Sequence, residues 1–216
     1  MTLRFCVNVI QTVWVSLPRH AARATREDGQ LTRAALLDAG AVLFAERGLT
    51  GVSLTEVAEA ADAFPSQVTY YFGGKEGLFV EAACRELLRV ASGVEAAGAG
   101  ARTPEAYVRA IVGAAVGAPG LLIFVEAMLL ARRRLDLAPT IAGTFARLHA
   151  EGERAVTDTL IRHGWTLRTS AATEARAFWA TVLGVALERA ATGGAAGTET
   201  AEAAVLLVLN LHPDQT

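Results

Sequence analysis

The chain has little of what catalytic, secreted and membrane-spanning proteins are built on. Its 216 residues hold two cysteines, Cys6 and Cys84, far apart in unlike surroundings. That excludes a disulfide framework and a cysteine zinc site, and it fits a reducing, cytoplasmic setting. The four histidines, His20, His149, His163 and His212, show no ligand spacing. No metalloprotease, nucleophile-elbow, phosphate-loop or paired-cysteine motif occurs, so a non-enzyme without metal or cofactor is expected. Aromatic residues make up only 6%, and β-branched residues rarely alternate, which argues against a sheet protein. Excess positive charge is missing too: the net charge is −2 and the pI about 6.1. Any nucleic-acid site must therefore be local.

Long unbroken hydrophobic runs are also absent. Residues 5–17 are apolar, but Asn8 and Gln11 interrupt them and Arg4 alone precedes them. This reads as an N-terminal extension in preference to a secretion signal. Residues 110–131 approach the roughly 20 apolar residues of a spanning helix. Pro119-Gly120 breaks that run and Glu126 sits inside its second half, so two buried helices of a bundle are expected and no membrane partner.

What is present is alanine, leucine and helical spacing. Hydrophobic residues make up 52% of the chain, enough for a proper core in an all-α protein. Residues 1–28 lack a clean period and end in an arginine-bearing arm, Arg19, Arg23 and Arg26, with Arg33 opening the first expected helix at about 31–47. That helix carries Leu36, Ala39, Gly40, Leu43 and Phe44 on one stripe and stops at Gly48. Ser53-Leu54-Thr55-Glu56 has the pattern of a capping box for a short second helix. After a turn at 61–64, Pro65 is suited to the first position of a third helix. That helix, 65–72, is polar and aromatic where a core helix would be aliphatic, as in a helix-turn-helix whose second helix enters a DNA groove. Gly73-Gly74 then breaks the chain and Lys75 starts a fourth helix bearing Leu78, Phe79, Ala82, Leu87 and Leu88. The Gly/Ala-rich stretch 96–102 marks a junction bridged by helix four. Helices are expected beyond it at about 104–116, 119–134, 138–163, 170–191 and 198–211.

The N-terminal region resembles the TetR family of bacterial transcriptional regulators. The resemblance rests on Ala39 with Leu43-Phe44-Ala45-Glu46-Arg47-Gly48, on Ser53-Leu54-Thr55-Glu56-Val57-Ala58, and on Tyr71-Phe72-Gly73-Gly74-Lys75-Glu76-Gly77-Leu78-Phe79. It implies an all-α fold with an N-terminal extension over 1–28, a three-helix helix-turn-helix head over 29–80, and a helical effector-binding and dimerisation domain over 81–216. It also implies a homodimer on a roughly palindromic double-stranded DNA operator, dimerising mainly through the helices at 170–191 and 198–211. A small-molecule effector would tilt helix four and spoil the half-site spacing, most commonly in a repressor. Two positions depart from the family pattern: Asp62 stands at the usual turn glycine, and Thr69 at the usual first tyrosine of the recognition helix. Asp tolerates a left-handed turn better than most residues.

Thr55, Pro65, Ser66, Gln67, Thr69, Tyr70, Tyr71 and Lys75 are the candidate DNA contacts. Gln can pair both edges of adenine, while hydroxyls suit phosphates and some base edges. Val68 and Phe72 read as core, and Tyr71 as either. Lys75, the single lysine of the chain, stands at a helix N-terminus where ammonium and free backbone N–H groups would hold one phosphate. The head is acidic overall, so the arm Arg19, Arg23, Arg26 and Arg33 is the candidate source of missing positive charge; a tail without a role is the other reading.

In the C-terminal domain the candidate effector pocket is Tyr107, Phe124, Glu126, Met128, Phe145, His149, Trp165 and Trp179, with Phe178 beside them. Core packing is the competing reading for each apolar member. Glu126, set within PGLLIFVEAMLL, must be paired, solvated or waiting for a cationic ligand. Arg132, Arg133 and Arg134 suit a cap on the helix C-terminus. The rival functions are a helical small-molecule-binding protein without DNA binding and a cryptic enzyme in the C-terminal cavity.

Overall fold

A polar stretch with no apolar stripe opens the structure as helix all the same. The computed structural model describes residues 19–193, 199, 203–205 and 211–213, and α1 runs over Arg19–Arg47. Its start lies well ahead of the expected residue 31 because RHAARATREDGQ is mostly Ala, Arg, Glu and Gln, all good helix formers, and Gly29 alone does not stop it. The last part of the expected extension is therefore helix. Residues 5–17 and the side chains of Arg19, Arg23 and Arg26 lie outside what is described.

The inward face of α1 is Leu36, Leu37, Ala41 and Phe44, all buried. It packs on α2 (Leu54–Ala60), α3 (Pro65–Phe72) and the first turns of α4 (Lys75–Gly98). Phe44 meets Phe79 edge to face at 5.2 Å, and Val52, Val57, Val68, Phe72 and Leu78 close the head's core. Each such side chain contributes about 1.5–3 kcal/mol on burial. Arg33 braces this core from the side. It forms an ion pair with Glu81 and its guanidinium lies 5.0 Å from the centre of the Phe72 ring.

Helix α4 belongs to both halves of the molecule. It packs against α1 and α3 on one side and against α5 (Pro104–Val116), α6 (Gly120–Ala131) and α7 (Ala138–His163) on the other. It runs on through residues 96–98, so the Gly/Ala-rich stretch begins inside the helix and the break follows at Ala99. Thr103 caps α5 by accepting from the Ala106 N–H at 3.2 Å. Among the described residues no single helix is long and apolar enough to cross a membrane. The α5–α6 pair has the length and composition together but is bent by 62°, and Ile111, Leu121 and Phe124 are buried within the bundle.

Helix α6 ends at Ala131, three residues short of expectation. Arg134 does not cap it: its guanidinium forms ion pairs with Asp136 and with Glu76 in the first turn of α4. A 3-10 turn at Leu135–Leu137 leads into α7, which Gly164 stops in the left-handed region at φ 65°. A short strand β1 (Trp165–Leu167) precedes α8 (Ala171–Ala191), which Ser170 caps. Strand β2 (Leu211–Pro213) pairs antiparallel with β1, with Trp165 opposite Pro213. Leu211 is thus strand, not helix, and most of the helix expected over 198–211 lies outside the described residues. Among the described residues the regular structure is helical apart from this two-stranded clip.

Candidate nucleic-acid interface and effector cavity

Local chemistry fixes the recognition unit. The Ser53 Oγ accepts from the Glu56 N–H at 3.2 Å, and the Glu56 carboxylate accepts from the Ser53 N–H at 2.7 Å. This closes the capping box that starts α2. The Ser53 backbone and hydroxyl, and then Arg47 at 2.8 Å, hold the Glu56 carboxyl down to about 2. The turn after α2 passes through Asp62 at φ 49°, the left-handed conformation that a glycine would adopt more easily. Pro65 then takes the first helical position of α3, and Gly73 ends it at φ 72°.

This brings one polar face of α3 to the surface. Thr55 on α2 and Pro65, Ser66, Thr69 and Tyr70 on α3 are exposed, Tyr70 at 83%. Val68 and Phe72 are buried. Tyr71 is half-buried. Its ring lies edge-on to Tyr70 at 5.0 Å, and its hydroxyl lies beside Gly29 of α1, 3.2 Å from where a Cβ would stand. Gln67 is partly committed: its Oε1 accepts from the Phe64 N–H at 2.8 Å. In this arrangement its NH2 group and one lone pair of Oε1 are left for a base, so two-edged pairing with adenine must share Oε1 with the cap.

Lys75 is partly committed as well. Its Nζ donates to the Val52 carbonyl at 2.9 Å, tying the start of α4 to the loop before α2. An ammonium has two further donors, and no side chain caps the first turn of α4. Among the described residues, the other cations of the head and of the adjoining part of α4 are paired internally: Arg47 with Glu56, Arg85 and Arg89 with Asp38, and Arg33 with Glu81. Arg33 is thus a brace of the head core and not part of a free arm.

In the C-terminal half, α4, α5, α7 and α8 line a partly open cavity of about 60 Å³. Val94 and Glu95 of α4, Tyr107 and Ile111 of α5, Leu148, Glu151 and Gly152 of α7, and Glu174, Phe178 and Trp179 of α8 line it. Of the expected pocket residues, Tyr107 and Trp179 (and Phe178) are there. Burial pushes the Tyr107 phenol upward, against a hydrogen bond with Thr159 that lowers it. The others stand elsewhere. Phe124, Phe145 and His149 form an aromatic file with centroids 5.4 and 5.7 Å apart, and Phe124 is core. Met128 is half-buried against that core. Trp165 stacks on His163 at 4.4 Å and stands behind Tyr107 at 6.0 Å. Glu126 is exposed, which resolves its three alternatives in favour of water. Burial, with the positive charge of Arg176, keeps the His149 imidazole below its ordinary range.

Sequence reasoning missed Glu95, Glu151 and Glu174 as lining groups. Glu174 reads in sequence as an ordinary first-turn acid. Only its 3% exposure sets it apart, and nothing in the residue pattern signals that.

Two family models match the chain. That of bacterial regulatory proteins of the tetR family covers residues 36–82, and that of a bacterial transcriptional repressor C-terminal domain covers residues 104–208. A candidate transcriptional regulator from Rhodococcus sp. RHA1 is 42% identical in sequence with a TM-score of 0.72, over 82% of this chain and 93% of that one. The multidrug binding protein EbrR, solved with imidazole, is 25% identical with a TM-score of 0.57, over 85% and 92%. The HTH-type transcriptional regulator BetI of Burkholderia thailandensis is 38% identical over 87 residues, which span 39% of this chain and 44% of that relative. The match therefore covers less than half the length of that curated relative.

Proposed function

Because the chain belongs to the TetR family of bacterial transcriptional regulators, a non-enzymatic family, we propose that it is an effector-released repressor that binds a palindromic operator as a homodimer. In this reading residues 29–80 read DNA, and residues 81–216 bind the effector and dimerise. Thr55, Pro65, Ser66, Gln67, Thr69, Tyr70, Tyr71 and Lys75 form the DNA face, with Tyr71 and Gln67 partly structural and Lys75 reaching a phosphate while it keeps Val52. The paired state of the head's arginines supports a reader that relies on hydroxyls, the Gln67 amide and groove shape more than on arginine forks.

The observation that carries the proposal is the continuity of α4. It is one helix of 24 residues, about 36 Å long. Its first turn holds Lys75 and the contact to the α2 loop, and its last turns, Ala91 to Glu95, form a wall of the cavity. A molecule that fills the cavity pushes on that wall, and the helix carries the displacement to the head. Two heads that must match the DNA repeat together then lose their fit at once. The test is selection of bound DNA from a genomic pool, followed by titration of the recovered site. A motif with two-fold symmetry is expected; one without it overturns the homodimer.

A further inference from the structure

The cavity's charge is one-sided. Among the described residues its walls carry three glutamates, Glu95, Glu151 and Glu174, and no lysine, arginine or histidine. Two of these acids are already answered from outside: exposed Arg154 stands 3.9 Å from Glu95, and exposed Arg147 donates to Glu151 at 2.7 Å. Glu174 is different. It is 3% exposed, its Oε1 accepts the Thr169 hydroxyl at 2.6 Å, and its buried Oε2 has no hydrogen-bond partner among the described residues. A buried carboxylate oxygen without a donor is costly, and such a group persists where something completes it. Tyr107, Phe178 and Trp179 line the same space.

We propose that the effector of this cavity is a small lipophilic cation, an amine or quaternary ammonium on an apolar body, with the Glu174 carboxylate as its counter-ion. The inference rests on the cavity being the effector site. An anion would enter against the unanswered Glu174 carboxylate, and a neutral ligand without a donor would bury Glu174 further and leave Oε2 unanswered. A cation gains the ion pair in a water-poor setting and, where it meets a ring face, a further attraction.

Three probes of matched size test this on the full-length protein by calorimetry: phenyltrimethylammonium, its neutral isostere tert-butylbenzene, and benzenesulfonate. The cation is expected to bind at least about tenfold more tightly than the isostere, with the anion weakest. In Glu174→Gln the ratio of cation to isostere affinity is expected to fall toward one. Equal or tighter binding of the isostere or the anion overturns the cationic effector while leaving the cavity as an effector site. Binding of none of the three at millimolar concentration overturns both. An unchanged ratio in a folded Glu174→Gln variant removes Glu174 as counter-ion. If that variant does not fold, the wild-type ratio decides alone.

Discussion

At the scale of single residues, Lys75 serves two ends at once. One donor of its ammonium goes to the Val52 carbonyl, so Lys75→Ala loosens the loop before α2 as well as removing a charge. The two effects separate in salt. If Lys75 also neutralises a phosphate, the slope of log affinity against log salt becomes shallower by about 0.9 per site. If it acts only through Val52, operator affinity falls and the slope stays the same, which would take Lys75 off the DNA face. Ser53 is a simpler case. It accepts from Glu56 at the start of α2, and Ser53→Ala is expected to destabilise the protein by about 1 kcal/mol, read from a denaturant titration. Glu56 adds a pH dependence with a definite sign. Its carboxyl is depressed from the ordinary 4.5 to about 2, so its contribution is complete above pH 4.5 and is lost as pH falls toward 2. Glu56→Gln should therefore flatten part of the acid limb in thermal melts taken across that window. An identical limb in the variant would mean the capping carboxylate has no net share in acid sensitivity.

At the scale of elements, the junction between α3 and α4 allows least change. A Cβ at Gly77 would stand 1.9 Å from the Phe72 carbonyl oxygen, a backbone atom that cannot swing aside. Gly77→Ala must shift one helix against the other, at a cost of about 1–3 kcal/mol. Operator affinity should drop with stability, by about tenfold or more, in mobility-shift titrations of the folded variant. Unchanged affinity would mean that the α3–α4 angle is not what presents α3 to DNA. This junction shows what the sequence makes legible and what it hides. Signals confined to a few neighbouring residues were readable: the Ser53 box, Pro65 at the start of α3, the Gly73 stop, and Asp62 in a left-handed turn. The start of α1 was not, because helix formers without an apolar stripe leave no period to detect. Contacts between distant positions were hidden as well. Arg33 with Glu81, Lys75 with Val52, and Arg134 with Glu76 depend on where helices lie. The cavity wall failed for the same reason. Which sides of α6, α7 and α8 face the cavity is set by how the helices pack, so Phe124 and Phe145 went to an aromatic file while Glu174 lines the cavity.

At the scale of the whole molecule, the proposed mechanism needs two heads held at a fixed separation, and one chain cannot supply that. Helix α8 has a side free to meet a second copy. Ala180 and Gly184 are exposed along it, and Leu187 is 47% exposed. At spacings of four and three residues they share one face. Small residues there let a twin helix approach closely, and a leucine in water gains by being covered. The opposite side of α8 holds Phe178, Val182 and Val185 in the core, so this face can change without disturbing the bundle. Leu187→Arg is expected to keep the helical content and leave a monomer in sedimentation equilibrium, because a symmetric contact repeats the charge on both copies. Operator binding should weaken by about a hundredfold or more, since the second head then binds from bulk solution and not at the high effective concentration that a joined pair enjoys. Binding to an isolated half-site should be unaffected, because the DNA face of each head is intact. A variant that remains dimeric with wild-type affinity would place the dimer contact on another surface, and exposed Leu122 and Leu129 of α6 would be the next to substitute.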